Sequence, residues 1–197
     1  MAAPSSPQLL LQKLPEIKTW IEGTLVSHRA MERQVASYVF PRLAAYYSAR
    51  LLNSSSVIEV PRVPIPPLVA LGLPEFTEFE NGDYKGVTYL NTYFVQASVA
   101  TSESLHFHEL VHVAQWQHLG ADRFLIAYAL GYLMAGGYRD NPLEVMAYDL
   151  QGRFEQSATP FDVEAFIRRN IDPIASSLVD GAFNAGTSEA AQIVPPS

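Results

Sequence analysis

The sequence contains no cysteine. Disulfides, thiolate zinc sites, iron–sulfur clusters and a cysteine nucleophile are excluded, so any metal must be held by His, Asp or Glu. The same absence fits a cytoplasmic protein. Positive charge is scarce. Thirteen Lys and Arg stand against 20 Asp and Glu, a net charge of −7, which is the reverse of the basic surface a nucleic-acid binder carries. No apolar run approaches the ~20 residues needed to cross a bilayer. The most apolar stretch, 124–135, reads as a buried helix and not a membrane span. Residues 1–7 carry no positive charge, and Leu9-Leu10-Leu11 is too short for a signal peptide's apolar region. A cytoplasmic location is therefore expected, with leaderless export left open. No repeat is visible at solenoid periods.

Apolar residues are plentiful. Of 197 residues, 48% are hydrophobic, including ten Tyr, ten Phe and two Trp. That is enough to bury a core, and the length suits one domain. We expect a single domain over 1–197, with flexible tails at 1–7 and about 187–197. Ile17, Ile21, Leu25, His28, Met31, Val35 and Val39 recur at helical steps and predict a helix from Pro15 to Phe40. His28 on that stripe reads as a core histidine. A second helical stretch should run to about Leu52. Val57 to Val60 reads as a strand. Pro61 to Pro74, with five prolines, reads as an extended connector packed on the domain surface. Asn81-Gly82 predicts a hairpin turn between strands at 76–80 and 84–95. From Thr101 the chain should return to helix, capped by Thr101, Ser102 or Ser104 and stopping near Gly120. Asp122 can cap an apolar helix that ends at Gly136-Gly137. Asn141 and Pro142 should open another helix to about Phe154. Phe161 to Asp180 gives one or two more, broken at Pro173. The class expected is α+β, helix-dominated, with a small and mostly antiparallel sheet.

Four of the five histidines lie between 106 and 118. Within that cluster, His108-Glu109-x-x-His112 has a spacing that carries a mechanism. Residues i and i+4 share a helix face, so both imidazoles can reach one ion. Glu109 falls beside the open coordination position, where it can act as a general base. A solvated helix face could show the same letters. The helix is otherwise apolar, however, and an apolar helix seldom carries two His and a Glu unpaired. His106 faces elsewhere. A catalytic zinc site needs a third protein ligand, and two are available. Glu144 is one, although Asn141-x-x-Glu144 also spells a capping box. His118 is the other, at the spacing of the HExxHxxGxxH pattern, but Gln115 replaces the Gly that turns that chain.

The stretches HELVHVAQW (108–116) and YRDNPLEVMAY (138–148), with the aromatic helix between them, resemble small zinc metallopeptidases of gluzincin type over about 50 residues. The resemblance implies a zincin-like domain, bound Zn2+, a peptide or protein substrate, and Glu144 as third ligand. It also implies a sheet whose edge strand, around Gly86–Val95, captures an extended peptide. Tyr148 stands where that family carries the Asp that orients a ligand histidine, and Tyr148 or the neighbouring Asp149 is left to replace it. Tyr138 is the first choice for an oxyanion donor among the tyrosines near Glu144. The tyrosines 128, 132 and 138 otherwise read as packing.

Three functions are compatible with these residues. One is a zinc-dependent peptidase with Glu109 as base, ligated by His108, His112 and Glu144 or, in metzincin fashion, by His118. The second is a zinc- or protein-binding module that keeps the motif without catalysis. The third is a helical domain with a fortuitous motif.

Overall fold

A computed structural model of the chain describes residues 6–156 and 159–190, with backbone only for 182–190. It is α+β and helix-dominated, as expected. The elements run α1 (Ser6–His28), β1 (Arg33–Gln34), α2 (Ala49–Ser54), β2 (Ser56–Val60), α3 (Thr77–Glu80), β3 (Gly86–Tyr89), β4 (Thr92–Gln96), α4 (Glu103–Ala135), α5 (Pro142–Glu155) and α6 (Val163–Ala190).

The sheet has the order β1-β2-β4-β3. Its outer pairs are antiparallel and the central β2–β4 pair is parallel. A parallel pair needs a crossover. The proline-rich segment, α3 and β3 together supply it. Val63, Leu68 and Leu73 of that segment are buried, so it packs against the domain as its composition suggested. All five residues of β4 are buried, as befits a central strand. Helix α4 lies on the sheet and also packs on α1, α5 and α6. Tyr93 of β4 meets His106 of α4, Phe94 on the opposite face of the strand meets His28 of α1, and Phe107 of α4 stacks on Phe154 of α5.

Helix α4 starts as expected. Ser102 is the N-cap, its side chain accepting from the Leu105 N–H, with Glu103 in the first turn. At Gly120 the backbone leaves helical geometry (φ 74°, ψ 166°), a region only glycine enters without strain. The helix then resumes to a left-handed Gly136 C-cap. Asp122 caps nothing. Its carboxylate holds Lys18 of α1 at 2.6 Å.

Several expected boundaries move. The N-terminal helix is α1, from Ser6 to His28, and not 15–40. Pro15 lies inside it. Pro173 likewise lies inside α6, which does not break there. The reason is the same at both. Pro15 and Pro173 are exposed, and so are the residues four positions earlier, Leu11 and Arg169. Each carbonyl freed by the missing N–H therefore faces water, while Leu14/Ile17 and Ile171/Ala175 are buried on either side. Beyond His28 the helix does not continue, and of the stripe only Val35, in a short 3-10 turn, is buried. Met31 is half exposed and Val39 almost wholly so. His28 is only partly buried. Its ring meets the Thr24 carbonyl at 2.9 Å, satisfying the end of α1, and touches Phe94 edge-on.

The expected hairpin at Asn81-Gly82 is also corrected. Residues 77–80 form α3, and Asn81 closes that helix. The hairpin is β3–β4, turning through Leu90 and Asn91, with Leu90 at φ 61°. Residues 1–5 and 191–197, expected as tails, lie outside the described residues. Ser6 and Pro7 are already helical, and 187–190 continue α6.

Candidate metal centre

The apolar first half of α4 buries one face against the sheet and another against α5. His108 and His112 sit one turn apart on the α5 side. Helix α5 delivers Glu144 from its first turn. Asn141 fixes that turn: its Oδ1 accepts the Leu143 N–H, and its amide donates to the Tyr128 carbonyl of α4. Gly131 lets the two helices approach, since a Cβ there would stand 2.6 Å from Asn141 Oδ1. The capping box is only half made. Asn141 caps, but the Asn141 N–H goes to the Tyr138 carbonyl, and Glu144 turns inward to the histidines.

Three side chains converge. His108 Nε2 and His112 Nε2 are 3.1 Å apart. Glu144 Oε2 is 3.3 Å from His108 Nε2, and Glu144 Oε1 is 3.3 Å from His112 Nε2. All three are buried. Ligands at tetrahedral zinc distances lie about 3.3 Å from one another, so the spacing fits that ion.

The hydrogen bonds behind the rings decide the chemistry. Gln151 donates its amide to Ser104 and Glu155, so its Oε1 faces His108 Nδ1 at 3.0 Å. Gln115 donates to the Leu143 carbonyl, so its Oε1 faces His112 Nδ1 at 2.8 Å. Each Nδ1 must therefore carry hydrogen, and each Nε2 presents a lone pair to the centre. Glu144 Oε1 accepts from the Tyr128 hydroxyl at 2.6 Å, while Oε2 is buried without a hydrogen bond. Two imidazole lone pairs and a carboxylate meet with no donor between them, an arrangement that only a cation or a proton can satisfy. Electrostatics agree. Burial by itself would lower the His112 pKa, but the adjacent Glu144 carboxylate outweighs it and raises it to about 9. Burial likewise pushes Glu144 up, and the two imidazoles more than reverse this, holding it well below the usual carboxylate range.

Glu109 stands beside this centre. Thr88 of β3 donates its hydroxyl to Oε2 at 2.7 Å. Gly86 of the same strand passes so close that a Cβ would lie 2.1 Å from Oε1. Burial raises the Glu109 pKa, against a smaller opposing pull from His108 and His112. Tyr138 lines the same cavity as Glu109, His112 and Glu144. Burial first, and then the Glu144 charge, raise its pKa far above the ordinary tyrosine value.

The other candidates fall elsewhere. His118 does not join the cluster. Its Nε2 meets Asp172 of α6 at 2.8 Å, because α4 stays straight through Gln115 and turns only at Gly120. His106 meets the Tyr93 hydroxyl and the Ala100 carbonyl and is wholly buried, so burial lowers its pKa. Asp149 is exposed. Tyr148 packs its ring on His108, with centroids 4.6 Å apart. The groups that orient these side chains are instead Gln115, Gln151 and Tyr128; in the sequence Gln115 reads only as the residue in a turn glycine's place, Tyr128 reads as packing, and nothing marks Gln151. Helical spacing offered the signal: Gln115 lies three residues after His112, and Gln151 lies seven, two turns, after Glu144.

Comparison with protein-family models, with curated proteins and with solved structures finds no match to this chain.

Proposed function

We propose that the protein is a zinc-dependent peptidase of gluzincin type. The observation that carries this reading is the convergence of His108, His112 and Glu144, with the Glu144 Oε2 atom buried without a hydrogen bond. These three residues would hold the ion, and His118 would take no part. Zinc in such a site supplies Lewis acidity, polarising a carbonyl and making water more acidic.

The chain's own groups supply the remainder. Glu109 is positioned by Thr88 and Gly86, and its raised pKa moves it toward a working neutral pH. Its carboxylate takes a proton from the attacking water as the water oxygen bonds to the scissile carbonyl carbon. It returns that proton to the amine as the C–N bond breaks. Tyr138, whose hydroxyl stays protonated at any working pH, donates to the carbonyl oxygen as negative charge grows there. Gln115 and Gln151 keep both rings in one tautomer and one orientation. Among the described residues no helix is long and apolar enough to cross a membrane.

Cleavage of a general peptide library by the zinc-loaded chain and by Glu109→Gln tests the proposal. Glu109→Gln should keep its zinc and lose cleavage by about 10²–10⁴-fold. Zinc retention with no cleavage by either protein would favour the binding module instead.

A further inference from the structure

A cavity of about 100 Å3 opens beside Glu109, His112 and Glu144. Away from those three residues and Thr88 its walls are mostly aliphatic and aromatic. One wall is α1, whose buried stripe Leu10, Leu14, Ile17 and Ile21 faces it. Another is the resumed part of α4, including Leu125 and Ala129. The edge strand β3 also borders this cavity along its whole length, 86–89.

The free edge of β3 is not a clean template for another strand. The Gln96 N–H donates to the Lys85 carbonyl. In an antiparallel ladder this alternation turns the backbone groups of 85, 87 and 89 toward β4 and those of Gly86 and Thr88 outward. The outward Thr88 carbonyl is already taken, accepting from the buried Trp116 indole at 3.1 Å. An extended chain laid along β3 would have to displace that bond.

We propose that the site acts on short amides bearing one compact apolar group, seated in the cavity between α1 and α4, and not on a polypeptide added as a strand to β3. A cavity near 150 Å3 holds benzene, so about 100 Å3 suits an apolar group of about four carbons. Leucine-sized side chains match this. The inference rests on the proposed hydrolytic centre for the reaction but on the cavity and on β3 for the substrate class.

The test begins with the full-length, chelator-treated protein and a series of n-alkyl acetamides followed by ligand-observed NMR. Affinity should rise about three- to four-fold per methylene, up to about four carbons, and then level. Leu14→Ala should extend that limit by about three carbons, the number removed from the α1 wall. Acetyl-leucine methylamide should displace the alkyl probe at least ten-fold more effectively than an acetylated decapeptide with leucine at its centre. A flat alkyl series, or a decapeptide that competes as well as the single residue, overturns the proposal. Alkyl hydroxamates on the zinc-loaded protein separate the two readings. If they bind no better than the acetamides while the alkyl dependence persists, the metal centre fails and the cavity assignment stands.

Discussion

Gly86→Ala isolates the positioning of Glu109. The new Cβ would lie 2.1 Å from Glu109 Oε1, 2.6 Å from Cδ and 3.0 Å from Cγ. All three atoms belong to one side chain, so the strand can stay where it is only if that side chain moves. Glu109 is 3% exposed, and the space open to it is the cavity it lines. It must swing off Thr88, losing the 2.7 Å hydrogen bond to Oε2. Leaving a buried charged acceptor and its hydroxyl donor unpaired costs about 1–3 kcal/mol. For a chain of this length each kcal/mol lowers Tm by roughly 2–4 °C, so a fall of about 2–12 °C is expected. Displacing a catalytic group by about 1 Å costs on the order of 10²-fold in rate. Zinc content should not change, because Glu109 is not one of the three converging donors. Differential scanning calorimetry, zinc analysis and peptide cleavage read the three quantities. Gly152→Ala is the control. No atom stands within 4 Å of its new Cβ, and a helical Gly-to-Ala change is neutral or stabilising. A Gly86→Ala protein with wild-type Tm and cleavage would refute the positioning argument.

Three further outcomes follow from the same geometry. The raised His112 pKa stabilises the metal-free fold fully below about 6.5, and this contribution disappears as pH rises through about 9; because zinc requires the neutral ring, binding near pH 7.5 should release about one proton, read by calorimetry in buffers of different ionisation heat. Gln115→Ala removes the acceptor behind His112 and should weaken zinc binding about 10–100-fold in a chelator competition, with the fold intact by circular dichroism. His118→Ala should leave zinc affinity unchanged and cost no more than about 1 kcal/mol in urea unfolding, since it removes only the half-exposed pair with Asp172.

The parts of this molecule that were legible in the sequence are those where one residue's chemistry dictates the backbone. Ser102, Gly120, Gly136 and Asn141-Pro142 mark real helix boundaries or breaks because caps and glycine-only conformations are local properties. The HExxH face was legible for the same reason, since helical spacing alone brings His108 and His112 together. Glu144 needed more, because a capping box and a ligand share its spacing. Only the packing of α5 on α4 decides between them. Pro15 and Pro173 misled because exposure, which is tertiary, determines whether a freed carbonyl meets water. The hairpin misled because Leu90-Asn91 carries no turn signature, and Leu90 takes a positive φ that its side chain disfavours. The orienting roles of Gln115, Gln151 and Tyr128 were not legible, because amides and phenols at helical spacing have no meaning until the groups they face are known.

Zinc stoichiometry tests the central claim most directly. The purified full-length chain should hold one zinc per molecule, and Glu144→Ala should lose it while remaining folded by circular dichroism. A folded wild-type chain that takes up no zinc would contradict the metal centre. Zinc held undiminished by Glu144→Ala but lost from His118→Ala would contradict the ligand set.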